Sequence, residues 1–141
     1  MIFGHGNDIG NYPNLKADFS SNVWYKGTPV GLRNKLRETI SDINNYPEPD
    51  AKRLKKAIAS FYALNHENIV ITNGSTEAFY LIAQASTQKE STIICPSFSE
   101  YNDAALMHKH KIRLLKNTED WHKQSFENQI VWFANPNNPD G

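Results

Sequence analysis

Short β-branched and aromatic runs alternate along this chain with longer segments in which apolar residues recur every three or four positions. The runs at 69–71, 92–95, 112–115 and 130–134 predict four strands. The first is predicted to be buried. The last is apolar throughout, which is typical of a strand buried on both faces of a parallel sheet.

The periodic segments predict helices. The first follows Pro29 and ends before the proline-containing run at 44–49, because a residue that precedes proline avoids the helical region. Asp50 is expected to cap the second helix, and two more are predicted, after Gly74 and at 99–110. Strands that alternate with helices indicate an α/β fold, with a mostly parallel sheet flanked by helices and right-handed crossovers.

Residues 1–28 differ from the rest of the chain because they contain glycines, asparagines and aromatic residues with little periodicity. This segment is predicted to be a loop-rich N-terminal arm, held in place by the body of the protein or by a partner. Residues 29–141 are predicted to form the domain that follows it. The sequence contains neither an internal repeat nor a low-complexity tract.

The stretch Thr-Asn-Gly-Ser-Thr-Glu at 72–77 joins the first predicted strand to the next helix. Gly74 can adopt a positive φ and leaves the backbone uncovered, while Ser75 or Thr76 can cap the helix. Free N–H groups, hydroxyls and the positive end of the helix dipole would then face one point, which suits a phosphate. An ordinary capped helix is the alternative, since the stretch matches neither a Walker loop nor a GxGxxG turn.

Two further segments, 96–101 and 135–141, also follow predicted strands and are rich in groups suited to ligand contact. In open α/β sheets ligands bind outside the carboxyl ends of the strands. The three segments are therefore predicted to converge on one site at this edge of the sheet.

Composition narrows the classes of function. The chain has 141 residues, of which 39% are hydrophobic, and its fifteen basic and fifteen acidic residues give zero net charge, so nothing favours nucleic acid or an anionic membrane as partner. The single cysteine, Cys95, fits a reducing compartment, and the cytoplasm is the expected location. His108 and His110 are two positions apart, so on a helix they would not share a face, and no metal site is predicted.

The run Asn-Pro-Asn-Asn-Pro-Asp-Gly at 135–141 resembles the Asn-Pro-x-Asn-Pro-Thr-Gly run of fold-type-I pyridoxal-phosphate enzymes, the class I/II aminotransferase family. The one departure is Asp140, where threonine is usual. The runs at 44–50, 73–77 and 96–101 are similar to further family segments in the same order, so the resemblance covers essentially the whole chain. It implies the N-terminal part of an aspartate aminotransferase-like fold, with pyridoxal 5′-phosphate as cofactor.

The resemblance also implies roles for individual residues. The cofactor phosphate would be held by Gly74, Ser75 and Thr76, and the pyridine ring would stack on Phe98. Asn138 would donate to the ring's 3′ oxygen. Tyr46 would reach the phosphate of a partner subunit, which implies a homodimer.

The substrate is expected to be a phosphorylated amino acid or amino alcohol. His-Gly-Asn at 5–7 and Asp-Phe-Ser-Ser-Asn at 18–22 resemble the arm of threonine-phosphate decarboxylases, enzymes of cobalamin biosynthesis. His5 would then bind the substrate phosphate, and Asn22 its carboxylate. A histidinol-phosphate aminotransferase, or another class I/II aminotransferase, is the alternative.

The resemblance implies that the Schiff-base lysine, the aspartate facing the ring nitrogen and the carboxylate-binding arginine lie beyond Gly141. No catalytic residue is therefore assigned, and we expect the chain to be part of an enzyme and inactive alone. Two alternatives stay open: a non-catalytic binding module, and an unrelated α/β domain that matches by chance.

Overall fold

A computed structural model describes residues 9–116 and 123–137. The described residues form two compact units, an N-terminal unit of residues 9–71 and a C-terminal unit of the remainder. The division falls after Ile71. The predicted boundary between an arm that ends at residue 28 and the domain that follows stays a prediction. Within the described ranges, no helix combines the length and the apolar character that crossing a membrane requires.

The N-terminal unit consists of helices and loops. Helices α1 (Val30–Glu38) and α2 (Lys52–Tyr62) both lie where the apolar periodicity predicted them. A 3₁₀ helix, Ile40–Asn44, continues from α1, so the predicted first helix is two shorter pieces. The N-cap of α2 is Ala51, with φ 44°, and it makes no side-chain capping hydrogen bond. Asp50 lies one residue earlier, with φ 60°.

The prediction that Asp50 caps α2 is therefore wrong. Its left-handed backbone places Asp50 in a 3₁₀ turn, Pro49–Ala51, outside the capping position. The Glu48 carboxylate takes over part of this role, since its Oε2 accepts a hydrogen bond from the Arg53 N–H at 2.8 Å. A carboxylate near a helix N-terminus is also favoured by the helix dipole.

The C-terminal unit is a parallel sheet with two helices. Strand β1 (Glu90–Cys95) lies in the middle and pairs in parallel with β2 (Lys111–Lys116) and β3 (Ile130–Trp132). Glu90 is opposite Lys111, and Ser91 is opposite Ile130. Helix α3 (Gly74–Ala85) precedes β1, and α4 (Glu100–Met107) connects β1 to β2. This is the predicted α/β arrangement.

The core of this unit is built from small and large apolar side chains. Ala83 of α3, Ala104 of α4, Ile93 of β1 and Trp132 of β3 form one buried cluster. The two alanines allow the backbones of α3 and α4 to approach closely, and Trp132 fills the remaining space. Burial of a large aromatic side chain in this way is a main source of stability.

Two strand predictions need correction. Residues 69–71 pair with no strand in the described part of the chain, and Val70 is 74% exposed, so the predicted buried strand is wrong. Ile69 keeps an extended backbone, with φ −116° and ψ 126°, but a strand also needs a neighbour to pair with. Strand β3 is not buried on both faces, because it lies at the edge of this sheet and Val131 and Phe133 are exposed.

Candidate functional site

The carboxyl ends of β1 and β3 bring two of the predicted ligand segments together. The segment after β1 begins at Pro96, and the segment after β3 includes Asn137. The Asn137 side-chain Nδ2 donates a hydrogen bond to the Pro96 carbonyl at 2.7 Å. Both segments therefore lie at the same edge of the sheet, as the sequence predicted. Asn138, the residue with the predicted cofactor role, lies outside the described residues.

The third segment forms the start of α3. Gly74 has φ +81°, and a Cβ added there would meet nothing within 4 Å, so the space above its backbone is open. Ser75 and Thr76 lie in the first turn with exposed side chains, but neither caps the helix: the N-cap is Asn73, without a side-chain cap. The Glu77 carboxylate instead accepts from the Asn73 N–H at 2.5 Å. Glu77 is the fourth residue after this N-cap, and its carboxylate satisfies the N-cap N–H from inside the helix.

The first turn of α3 has two opposing electrostatic features. The N–H groups of Ser75 and Thr76 have no partner inside the helix and lie at its positive end, so they favour an anion. The Glu77 carboxylate is close to the same turn and opposes a second anion. The turn offers a phosphate two hydroxyls, two N–H groups and an open approach over Gly74. The negative charge of Glu77 partly offsets this attraction.

Phe98 belongs to an aromatic cluster, which we define as Phe79, Phe98, Tyr101 and Trp132. The Phe98 ring lies 6.4 Å from Phe79 and 6.2 Å from Tyr101, edge-on to both. These are favourable geometries for aromatic pairs and hold the half-buried Phe98 in place. Phe79 lies four residues after Ser75 on α3, so the two share one face of the helix. Phe98 is therefore packed beside the face that carries Ser75.

A buried polar network lies beneath this cluster. The Trp132 indole N–H donates to Ser91 Oγ at 3.1 Å, and Ser91 Oγ lies 2.9 Å from His110 Nδ1. His110 Nε2 lies 3.0 Å from the Ala83 carbonyl. From the sequence, His110 was weighed only as a possible metal ligand, and this network was not predicted. The signal that could have found it is Ser91, a polar residue that precedes the apolar run of a strand predicted to be buried.

The placement of His110 follows from the end of α4. Lys109 adopts a left-handed conformation with φ 62°, and the His110 N–H bonds to the Ala105 carbonyl at 2.9 Å. This is the bonding pattern of a Schellman motif, which ends a helix and redirects the chain. The chain then enters β2, and the His110 side chain is buried.

A second polar contact joins α3 to α4. The Tyr80 hydroxyl donates to Glu100 Oε2 at 3.1 Å, and the carboxylates of Glu100 and Asp103 are both buried. Burial raises the pKa of the Tyr80 phenol, and its hydrogen bond to Glu100 and the two negative charges raise it further. The phenol therefore stays protonated and serves as a donor that holds the two helices together.

The remaining predicted site residues lie in the N-terminal unit or outside the described ranges. Tyr46 is fully exposed, at 100%, beside a groove of about 780 Å³ lined by residues of α1, the following 3₁₀ helix and the start of α2. Asn22 is also exposed. His5 lies outside the described residues. The roles predicted for these three residues stay predictions.

Metal ligands and thiol chemistry receive no support from the described residues. Within 9–116 and 123–137, no group of three His, Cys, Asp or Glu side chains is placed to hold a metal ion. Cys95 is half-buried at the end of β1, and this burial raises the pKa of its thiol. A thiol that stays protonated is a weak nucleophile, so the position of Cys95 favours packing over thiol chemistry.

A parallel sheet flanked by helices, with two of the predicted ligand segments at the carboxyl ends of its strands, defines an α/β protein in which this edge is the expected place for a ligand. The family model for aminotransferase class I and II matches residues 8–141. The chain belongs to this family.

Individual relatives agree with this assignment. The chain is 27% identical to a threonine-phosphate decarboxylase of Salmonella typhimurium over 94% of its length, and 28% identical to a histidinol-phosphate aminotransferase of Clostridium novyi over 89%. The crystal structure of L-threonine-O-3-phosphate decarboxylase from Porphyromonas gingivalis superimposes with a TM-score of 0.80, at 41% identity, and covers 86% of this chain.

The relatives are much longer than this chain. It spans 39% of the length of each of these two curated relatives and 38% of the Porphyromonas structure. The comparisons therefore confirm the predicted family, and the solved relatives confirm the predicted fold, that of the pyridoxal-phosphate-dependent transferases.

Proposed function

We propose that this chain carries the phosphate- and ring-binding elements of a pyridoxal 5′-phosphate site, in an enzyme that acts on a phosphorylated amino acid or amino alcohol. The activity we favour is that of a threonine-phosphate decarboxylase-like enzyme of cobalamin biosynthesis. Relatives with that name include the Porphyromonas structure, at 41% identity. A histidinol-phosphate aminotransferase is the second candidate, supported by the relative from Clostridium novyi.

The observation that carries the proposal is the contact between Phe98 and Phe79, at 6.4 Å. Phe79 shares a helix face with Ser75, so a ring stacked on Phe98 and a phosphate at the first turn of α3 would lie along one face of one helix. A phosphorylated aromatic ligand has those two groups joined by a short link. The arrangement therefore favours this ligand over a phosphate alone.

Each proposed residue has a separate task toward such a ligand. The hydroxyls of Ser75 and Thr76 and the N–H groups of their turn would bind the phosphate, with Gly74 leaving the approach open. Phe98 would orient the ring, and Asn138 would donate to its 3′ oxygen. When bound, the cofactor supplies an electron-withdrawing ring that stabilises negative charge on the substrate.

We further propose that the protein acts as a homodimer in the cytoplasm. Full exposure of Tyr46 and the neighbouring apolar groove support a second copy as the partner, with Tyr46 reaching the phosphate in that copy. His5 and Asn22 are proposed to bind the substrate phosphate and carboxylate. The single cysteine supports a reducing compartment.

We propose that residues 1–141 alone bind the cofactor weakly and do not turn substrate over. A few phosphate contacts give modest affinity, and no lysine of this chain stands where the resemblance requires the covalent one. Incubation with pyridoxal 5′-phosphate followed by borohydride should label surface lysines at random. A single stoichiometrically labelled lysine, together with turnover, would contradict this part of the proposal.

The test of the site itself uses two ligands that cannot react with lysine: pyridoxine 5′-phosphate, which has a ring, and glycerol 3-phosphate, which does not. Calorimetric titration should give tighter binding of the ringed ligand. Ser75→Ala should weaken both ligands, and Phe98→Ala should weaken pyridoxine 5′-phosphate alone. Equal affinity for the two ligands in the unmodified chain would overturn the proposed ring site.

Glu77→Gln gives a prediction of opposite sign. Glutamine can still accept from the Asn73 N–H, because its side-chain carbonyl has the same reach as the carboxylate, but it removes a negative charge beside the proposed phosphate site. Glycerol 3-phosphate should bind about threefold more tightly at low salt, and the gain should shrink as salt screens the charge. The matched control is Glu127→Gln, an equal charge change at an exposed residue after β2. An equal gain in the control would show a net-charge effect only.

A further inference from the structure

His110 has a position that the proposed function does not use. It lies between α4 and β2, is 5% exposed, and both of its ring nitrogens have partners. One nitrogen faces a strand residue, Ser91, and the other faces a helix residue, Ala83. The ring therefore connects the sheet to α3.

The hydrogen positions in this network follow from the chemistry of the partners. The Ala83 carbonyl can only accept, so His110 Nε2 must carry a hydrogen and donate. The Trp132 indole N–H can only donate, so Ser91 Oγ accepts from it. The Ser91 hydroxyl then donates its own hydrogen to His110 Nδ1. With the His110 hydrogen on Nε2, the hydrogen bonds run in one direction from Trp132 through Ser91 and His110 to Ala83, and each of these groups has a partner.

On one side, the network holds the far end of the proposed phosphate-binding helix. Ala83 lies in the last turn of α3, where carbonyls have no partner inside the helix. Its bond to His110 fixes that end against the sheet. Because a helix moves as a rigid rod, the position of its last turn also sets the position of its first turn, which carries Ser75 and Thr76.

On the other side, the network holds the aromatic cluster. Trp132 stacks on Tyr101 at 5.4 Å and meets Phe79 edge-on at 6.0 Å. Phe79 and Tyr101 are the two rings that hold Phe98. The bond from the indole N–H to Ser91 fixes the rotation of Trp132, and with it the surface on which the other rings pack.

We propose that His110 is a positioning residue that fixes the spacing between the first turn of α3 and Phe98, through the Ala83 carbonyl on one side and through Ser91 and Trp132 on the other. The inference rests on the proposed function, since it concerns a ligand that has a phosphate and a ring. It adds that recognition of the two groups together depends on buried residues that touch neither of them.

A role in core packing alone is the competing explanation, and the two make different predictions for binding. Loss of packing would lower the stability of the whole unit and change the affinity of both test ligands alike. Loss of spacing would leave binding of a lone phosphate unchanged and weaken the ligand in which phosphate and ring are joined.

The test compares the dissociation constants of pyridoxine 5′-phosphate and glycerol 3-phosphate in Ser91→Ala and His110→Gln. We expect pyridoxine 5′-phosphate to bind about threefold to tenfold more weakly in each variant, with glycerol 3-phosphate unchanged. His108→Gln is the matched control, because His108 is a half-buried neighbour outside the network, and it should change neither constant. Parallel changes for both ligands, or no change for either, would overturn the inference. If the unmodified chain fails to prefer the ringed ligand, the proposed function itself fails.

A second measurement needs no variant in the network. In ¹⁵N-labelled protein, the His110 ring should show its hydrogen on Nε2, the nitrogen that faces the Ala83 carbonyl. The indole N–H signal of Trp132, assigned with Trp24→Phe and Trp121→Phe, should shift with pyridoxine 5′-phosphate and not with glycerol 3-phosphate. A hydrogen on Nδ1, or an indole signal that responds to neither ligand, would refute the proposed coupling even if the variants failed to fold.

Discussion

Residues 9–71 and the described residues from 72 onward contain apolar side chains of the same types but bury them to very different extents. In the N-terminal unit, Ala59 is the one buried hydrophobic residue of the described range, and it keeps 7% exposure. Leu36, Ile40 and Ile43 are each more than half exposed, although they repeat at helical spacing. The C-terminal unit instead buries residues from both helices and all three strands: Ala83, Ile93, Ile94, Ala104, Ala105, Leu115 and Trp132.

The difference shows that amphipathic periodicity alone does not determine which side chains become buried. The same three-to-four spacing produces α1, which buries no residue, and α3, whose Ala83 is completely buried. A parallel sheet gives α3 a surface to cover, whereas α1 has no such partner among the described residues of its unit. The apolar face of α1 is therefore available for another surface, and we propose a second copy of the chain.

The largest expected effect comes from comparing two single variants, each a tryptophan-to-alanine substitution in one of the two units. Trp132→Ala should lower the free energy of unfolding by about 3–5 kcal/mol, because it leaves a cavity at the centre of the aromatic cluster. Trp24→Ala, at a residue that is 54% exposed, should change it by about 0.5 kcal/mol or less. Urea unfolding followed by circular dichroism measures both. Equal losses would show that the N-terminal unit has a core of its own.

A smaller effect is expected at the contact between α3 and α4. Tyr80→Phe removes a donor from the buried Glu100 and should cost about 1–2 kcal/mol near neutral pH. Tyr62→Phe, at an exposed tyrosine of the N-terminal unit, is the matched control and should have little effect.

The stability difference between the unmodified chain and Tyr80→Phe should also depend on pH, with a definite sign. The pKa of Tyr80 is raised in the folded protein, so the unfolded chain loses the phenol hydrogen first as pH rises above about 10. The stabilisation is complete below that pH and is lost as pH rises through the higher folded value. The difference between the unmodified chain and Tyr80→Phe should therefore shrink above pH 10, and a constant difference would contradict the contact.

The smallest effect on stability is expected on the exposed apolar face formed by α1 and the 3₁₀ helix that follows it. Leu36→Ser with Ile40→Ser should change the free energy of unfolding by about 0.5 kcal/mol or less at low protein concentration. The double variant should nevertheless abolish self-association in sedimentation velocity, if this face meets a second copy. Leu114→Ser, at an equally exposed position on β2, controls for the loss of apolar surface. Unchanged association of the double variant would exclude this face as the contact.

The sequence was sufficient for features that depend on local pattern. The order of elements from α3 to β3 follows from apolar spacing, because each element is an amphipathic or buried segment bounded by turn residues. The convergence of the segments at Pro96 and Asn137 follows from parallel strand direction alone, since carboxyl ends of parallel strands share an edge.

Features that depend on a distant partner could not be predicted in this way. Residues 69–71 have strand character, yet strand formation requires a neighbour, and spacing along the chain does not supply one. Glu77, rather than Ser75 or Thr76, bonds the N-terminal N–H of α3. Side-chain reach and backbone angles decide which of these three consecutive residues makes this bond, and the sequence pattern specifies neither. The network of His110 joins residues far apart in the sequence, and no motif connects them.

The central position of β1 also has a consequence for how the sheet is assembled in time. Parallel neighbours require long crossovers, and the loop closed when Ser91 pairs with Ile130 is nearly twice as long as the loop closed when Glu90 pairs with Lys111. Closing the longer loop costs about 0.5 kcal/mol more chain entropy, so β1 and β2 should pair first and β3 should add to a preformed two-stranded ribbon. In pulse-labelled hydrogen exchange, the amides of the β1–β2 pair Ile94 and Leu115 would gain protection before the amides near Trp132. The edge that carries Asn137 would then be the last part of the site to form.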